Sequence, residues 1–125
     1  MKLMSFQDKA GRRGWGAVEG AAVADLSATA PGLRAALAAG RPIAVPAGAP
    51  RLDLAELTFL PPVPDPDKII CVGLNYLTHI LEGGREPPKM PTIFTRWANT
   101  QVGHRQPMIR PRASDTLDYE GELAF

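Results

Sequence analysis

A single cysteine, Cys71, is all the thiol that the 125 residues contain. It has no partner for an internal disulfide, which excludes a stapled secreted scaffold and fits a reducing, cytoplasmic setting. Long hydrophobic runs are missing too. None approaches the roughly 20 apolar residues of a membrane-spanning helix, and the first residues lack the basic, apolar and small-residue order of a secretory leader. A membrane partner is therefore not expected. Neither sign of charge is in excess: 14 basic against 13 acidic residues leave a net charge of +1. That balance offers no electrostatic footprint for nucleic acid. A glycine-rich phosphate loop, zinc-type Cys/His spacing and a serine nucleophile elbow are absent from the sequence as well. What remains, 45% hydrophobic and 22% charged, is the composition of a globular protein.

Proline and glycine are plentiful, at 13 and 12 residues, and unevenly placed. The stretch PPVPDPD, residues 61–67, can be neither helix nor central strand. It separates a small β/α module at residues 1–60 from a second segment at 68–125. In the module, KLMSF reads as a short strand. GWGAVEG and AAVADL read as two more, joined by a turn at Glu19-Gly20. TAPGLRAALAAG predicts a helix with Thr29 as N-cap, Pro31 in the first turn and Gly40 past the end. Leu33, Ala36 and Leu37 share one of its faces. LAELTFL, residues 54–60, fits strand or helix equally.

The second segment opens on KIICVGLNY, whose run Ile69, Ile70, Cys71 and Val72 predicts a buried strand ended by Gly73. LTHILEGG predicts a short helix closed by Gly83-Gly84. PTIFTRWA, residues 106–111 and residues 117–125 predict three further strands. The fold class is thus α+β and mostly β.

Two pairs of residues suit chemistry. In a strand, Glu120 and Glu122 point to one face, with alpha carbons about 6.5–7 Å apart. Two such carboxylates repel unless a cation lies between them, and a hard dication prefers oxygen ligands. A solvated strand face carries Glu-x-Glu equally well. In LTHILEGG, His79 and Glu82 are neighbours at i and i+3. A carboxylate that fixes an imidazole tautomer frees the other nitrogen to accept a proton from water. A surface His-Glu pair near a helix end is the plainer reading. Cys71 reads as a small apolar core residue. Arg96, Arg105, Arg110 and Arg112 suit an anionic substrate or simply balance the acidic residues.

KIICVGLNYLTHILEGG, PTIFTRWANTQVGHRQPMIRP and LDYEGELAF, in this order and spacing, resemble the fumarylacetoacetate hydrolase family across nearly all of residues 68–125. The first segment is more diffusely similar to the small N-terminal domain that many members carry. The resemblance implies a mixed β-roll catalytic domain, here incomplete, in a homodimer. It also implies Mg²⁺ or Mn²⁺ held by three carboxylates, of which Glu120 and Glu122 match two. The third, an Asp some thirty residues further on, falls beyond Phe125. His79 and Glu82 match the family's water-activating dyad, although Thr78 stands where many relatives have Asp. Asn75, Tyr76, Arg96 and His104 are the substrate contacts to expect. The implied reaction is metal-assisted hydrolysis of a C–C bond in a small 2-oxo or enol acid such as an acylpyruvate. Isomerisation, hydration or decarboxylation on the same scaffold is the alternative. A non-catalytic remnant acting through association is another. With two of three ligands, the 125 residues alone are expected to be inactive.

Overall fold

A computed structural model describes residues 1–124. Five short strands in the first sixty residues form one antiparallel sheet in the order β4-β3-β2-β1-β5. β1 (Lys2–Gln7), β2 (Arg13–Glu19) and β3 (Ala22–Asp25) are a meander. The turn after Glu19 uses Gly20 at φ +63, a left-handed conformation that glycine adopts without steric cost. β4 (Arg51–Asp53) pairs with β3, and β5 (Thr58–Phe59) pairs with β1 through Phe6↔Phe59. Between them the ambiguous run 54–60 divides. A 3-10 turn at Leu54–Glu56 is capped by the Asp53 carboxylate, which accepts from the Ala55 amide at 2.9 Å, and β5 follows.

Alternation along β1 and β2 creates two apolar layers. On one face Trp15, Ala17, Ala24 and Leu26 pack with Leu33 of α1 (Leu33–Ala38) and with Ile43 and Val45. On the other, Met4, Phe6 and Val23 pack with Leu52, Leu57 and Phe59. Trp15 and Phe6 are essentially inaccessible to solvent. The indole N–H of Trp15 donates to Ala30 O at 2.9 Å, so its burial strands no polar atom. Gly16 makes the sheet possible at its centre: a Cβ there would run into the carbonyl oxygen of Ala24 and lie 2.8 Å from Val23 Cγ1.

The helix departs from expectation at both ends of its apolar face. Gly32, not Thr29, occupies the N-cap, and Thr29 Oγ1 instead donates to Leu26 O at 2.7 Å. Thr29 lies in the turn before the helix, three residues short of the N-cap. Leu33 is buried and Ala36 partly so, but Leu37 is 55% exposed. Gly40 closes it at φ +63, as expected.

The proline-rich stretch 61–67 has no regular structure but is strapped to this sheet. The buried Ser5 hydroxyl donates to Pro62 O at 2.7 Å. Arg34 of α1 reaches Asp65 O at 2.9 Å and the Asp67 carboxylate at 2.6 Å. Beyond it, β6 (Ile69–Gly73) pairs antiparallel with β7 (Thr92–Arg96) in a second, two-stranded sheet. α2 (Leu77–Glu82) lies between them in sequence and ends at Gly83, with Gly84 at φ +63. β6 is not buried on both faces: Cys71 is buried, whereas Ile70 is 60% exposed. A two-stranded sheet covers only one face of each strand.

Residues 106–111 and 117–124 form no strand. Pro107 and Pro111 remove two ladder donors from the first. In the second, the Leu123 amide bonds to the Tyr76 hydroxyl at 3.1 Å rather than to a neighbouring strand. Phe125, the last residue of that expected strand, lies outside the described residues.

The fold generates two expectations. Gly16→Ala should cost about 2–3 kcal/mol, since a backbone carbonyl yields less easily than a side chain. Urea denaturation measures it, and an unchanged midpoint would contradict the close approach. The second concerns Asp25. Burial raises its carboxyl, but hydrogen bonds from Ser27 and the Arg12 guanidinium, 2.9 Å away, outweigh burial and hold it below the ordinary value. A depressed folded pKa gives stability that is full above the unfolded value of about 3.9 and is lost as pH falls through the lower folded value. Asp25→Asn should therefore flatten the acid limb of a stability–pH curve. An identical acid limb in both proteins would refute it.

Candidate active site

β6 delivers the chain into the site through an unusual joint. Leu74, a non-glycine residue, sits at φ 54. A left-handed conformation at such a residue costs about 1–2 kcal/mol and persists only where its surroundings enforce it. This bend turns the chain out of the sheet and sets Asn75 and Tyr76 at the head of α2. Sequence reading passed over Leu74, because nothing in a leucine's identity marks a positive φ. Asn75 lines an open cleft of about 400 Å³ together with Leu77, Ile80 and the 87–91 segment.

Tyr76 is half-exposed and accepts the Leu123 amide proton at 3.1 Å, which ties residues 117–124 to the start of α2. Arg96, at the end of β7, makes the second tie. Its Nη1 lies 3.5 Å from Glu120 Oε1, and its Nε donates to Thr100 Oγ1 at 3.4 Å. The structure thus brings together Tyr76, Arg96 and Glu120 around one segment. The tyrosine tie has no signal in the sequence; the arginine tie is one form of the charge balance expected for Arg96, although Arg96 and Glu120 stand 24 residues apart without a local pattern to link them.

The other expected residues are less gathered. His79 and Glu82 are both exposed on α2, and among the described residues no hydrogen bond joins them. His104 lies apart, its ring edge-on to Phe59 with centroids 5.1 Å apart, on the side of the N-terminal sheet. Gly103 beside it is buried against the Phe59 backbone. Arg110 is occupied locally, at 2.6 Å from Ser114 O and 2.9 Å from the Asp115 carboxylate.

Glu120 and Glu122 are carboxylates of the kind a hard dication takes. Among the described residues no group of three His, Cys, Asp or Glu side chains converges to hold one. The donor type fits, then, while the donor number is two and one of these is engaged by Arg96.

The sequence of this strand–turn–helix unit and its paired strand places it among known proteins. Residues 68–125 match the profile described as fumarylacetoacetate (FAA) hydrolase C-terminal. This segment belongs to the fumarylacetoacetate hydrolase family. The chain is 43% identical over 81 residues to the human protein named oxaloacetate tautomerase FAHD2A, mitochondrial, covering 65% of this chain and 26% of the relative. It is 42% identical over 74 residues to the Xenopus laevis oxaloacetate tautomerase fahd2, mitochondrial, covering 59% and 23%. An uncharacterized protein of Archaeoglobus fulgidus is 45% identical over 71 residues, covering 57% and 28%. The chain therefore spans about a quarter of the length of these relatives. No solved structure matches it. No helix among the described residues is long and apolar enough to cross a membrane.

Proposed function

We propose that the full-length protein is a divalent-metal-dependent enzyme that moves a proton on a small 2-oxo acid, interconverting its keto and enol forms. The observation that carries this is the 42–43% identity to proteins named oxaloacetate tautomerase. Residues 1–60 are a small accessory domain, 61–67 the linker, and β6–β7 the opening of a β-roll catalytic domain that works as a homodimer. The free, buried Cys71 suits a reducing compartment, as the cytoplasm is.

Glu120 and Glu122 would hold Mg²⁺ or Mn²⁺, which when bound supplies Lewis-acid stabilisation of negative charge on a substrate oxygen. The chain's own residues then have three tasks. Asn75, which lines the cleft, and its neighbour Tyr76 orient the acid. Arg96 offers a cationic guanidinium to a carboxylate. His79, exposed on α2, takes the proton from the carbon beside the ketone. Glu82, three residues on, would fix the imidazole tautomer.

Hydrolysis of a C–C bond in an acylpyruvate is the second reading, supported by the i, i+3 spacing of His79 and Glu82. It demands a water held by the joined pair, whereas proton transfer demands only the imidazole. Tautomerisation is therefore the simpler use of these residues.

One assay separates the two. The full-length protein should accelerate keto–enol exchange of oxaloacetate, with EDTA abolishing the effect and Mg²⁺ or Mn²⁺ restoring it. Glu120→Gln should lower the rate at least about 100-fold, in line with loss of an electrostatic stabiliser. Two acid products from an acylpyruvate, with no effect on oxaloacetate, would overturn tautomerisation in favour of hydrolysis. The 125 residues alone, with two of the carboxylates, should show neither activity.

A further inference from the structure

The Glu120 carboxylate already has a cation beside it, and it belongs to the chain. Arg96 Nη1 stands 3.5 Å from Glu120 Oε1, with the two side chains 30% and 37% exposed. Arg96 is itself placed by β7, whose pairing with β6 runs through Ile69↔Arg96, and by its Nε contact with Thr100 Oγ1. Glu120 is placed from the other side, because the Tyr76 hydroxyl anchors the Leu123 amide three residues on. Both partners are therefore held by separate elements, and their meeting is not an accident of two free side chains. Glu122 has no such cation among the described residues. A guanidinium beside Glu120 Oε1 takes up part of that carboxylate's acceptor capacity, and its positive charge repels an incoming dication.

We infer that Arg96 is a built-in counter-ion for Glu120 that competes with a divalent cation, so that the pair tunes how tightly the cation binds and holds residues 117–124 in place before it does. This rests on the reading of Glu120 and Glu122 as metal ligands. Arg96 acts here as a positioning residue, distinct from any contact it makes with substrate.

The experiment measures Mn²⁺ binding, by titration with the ion alone, in the full-length protein and in Arg96→Gln, with tryptic cleavage after Arg112 followed in metal-free buffer. Arg96→Gln should bind Mn²⁺ about two- to five-fold more tightly, the range that loss of a part-exposed ion pair allows. Cleavage after Arg112 should also speed up, because segment 117–124 has lost one of its two ties. Arg96→Lys, which keeps the charge with a shorter reach, should fall between. Arg85→Gln, which removes the same charge just past α2, should leave both readouts as they were.

Equal or weaker Mn²⁺ binding in Arg96→Gln overturns the proposal, as does an equal gain in Arg85→Gln, which would make it a matter of net charge. If no protein binds Mn²⁺ and Glu120→Gln changes nothing, the metal reading itself fails, and the competition with it. The cleavage rates then still show whether Arg96 holds the segment.

Discussion

The contact between Gly103 and the backbone of Phe59 joins the two halves of the molecule. A side chain at position 103 would collide with the Phe59 carbonyl. The closeness of this approach lets β5, the edge strand of the large sheet, carry the turn that follows β7. His104 then rests edge-on against the Phe59 ring, and Gln101 reaches Val63 O at 3.1 Å. Around this joint the proline-rich stretch is fastened from the opposite side by Ser5 and Arg34. A segment with little core of its own thus borrows rigidity from a sheet that has two.

Where that rigidity stops is equally informative. The five-stranded sheet buries most of the large apolar residues, whereas the family segment leaves Ile70, Leu77, Leu81, Ile93 and Trp97 exposed. Two strands and a six-residue helix do not enclose a core. Tyr76, Arg96 and Glu120 are therefore placed by local devices rather than by packing: the bend at Leu74, the tyrosine–amide tie and the Arg96–Glu120 pair. Each is local, weak singly, and adjustable by a ligand. Such an arrangement is easily rearranged, as the function proposed above requires.

Sequence alone conveyed the meander, because alternating residues around Glu19-Gly20 leave no other economical arrangement. It also conveyed β6, α2 and β7, through an apolar run, a glycine-closed helical stretch and a β-branched run. It failed at residues 106–111 and 117–124, where the local pattern favours strand but the ladder partners that make a strand are not provided. It overestimated the reach of α1, since periodicity says which residues share a face and not whether a neighbour is there to meet it. His104 carried no local pattern that would place it, and the structure sets its ring edge-on to Phe59. Arg96 suited an anionic substrate or the acidic residues, and which carboxylate it meets was legible only in three dimensions. The family resemblance, carried by KIICVGLNY and LDYEGEL together, reached further than any single residue pattern did.

Native-state hydrogen exchange of Gly103→Ala tests most directly whether the two halves depend on their joint. The amides of Leu60 and Gln106, bonded to Ser5 O and Gly103 O at 3.0 Å, should exchange at least about ten-fold faster, as local opening of a strained contact requires. The β1–β2 pairing should keep its protection. Unchanged exchange at Leu60 and Gln106 would show that the contact carries no load, and that residues 68–124 are held to the sheet by something else.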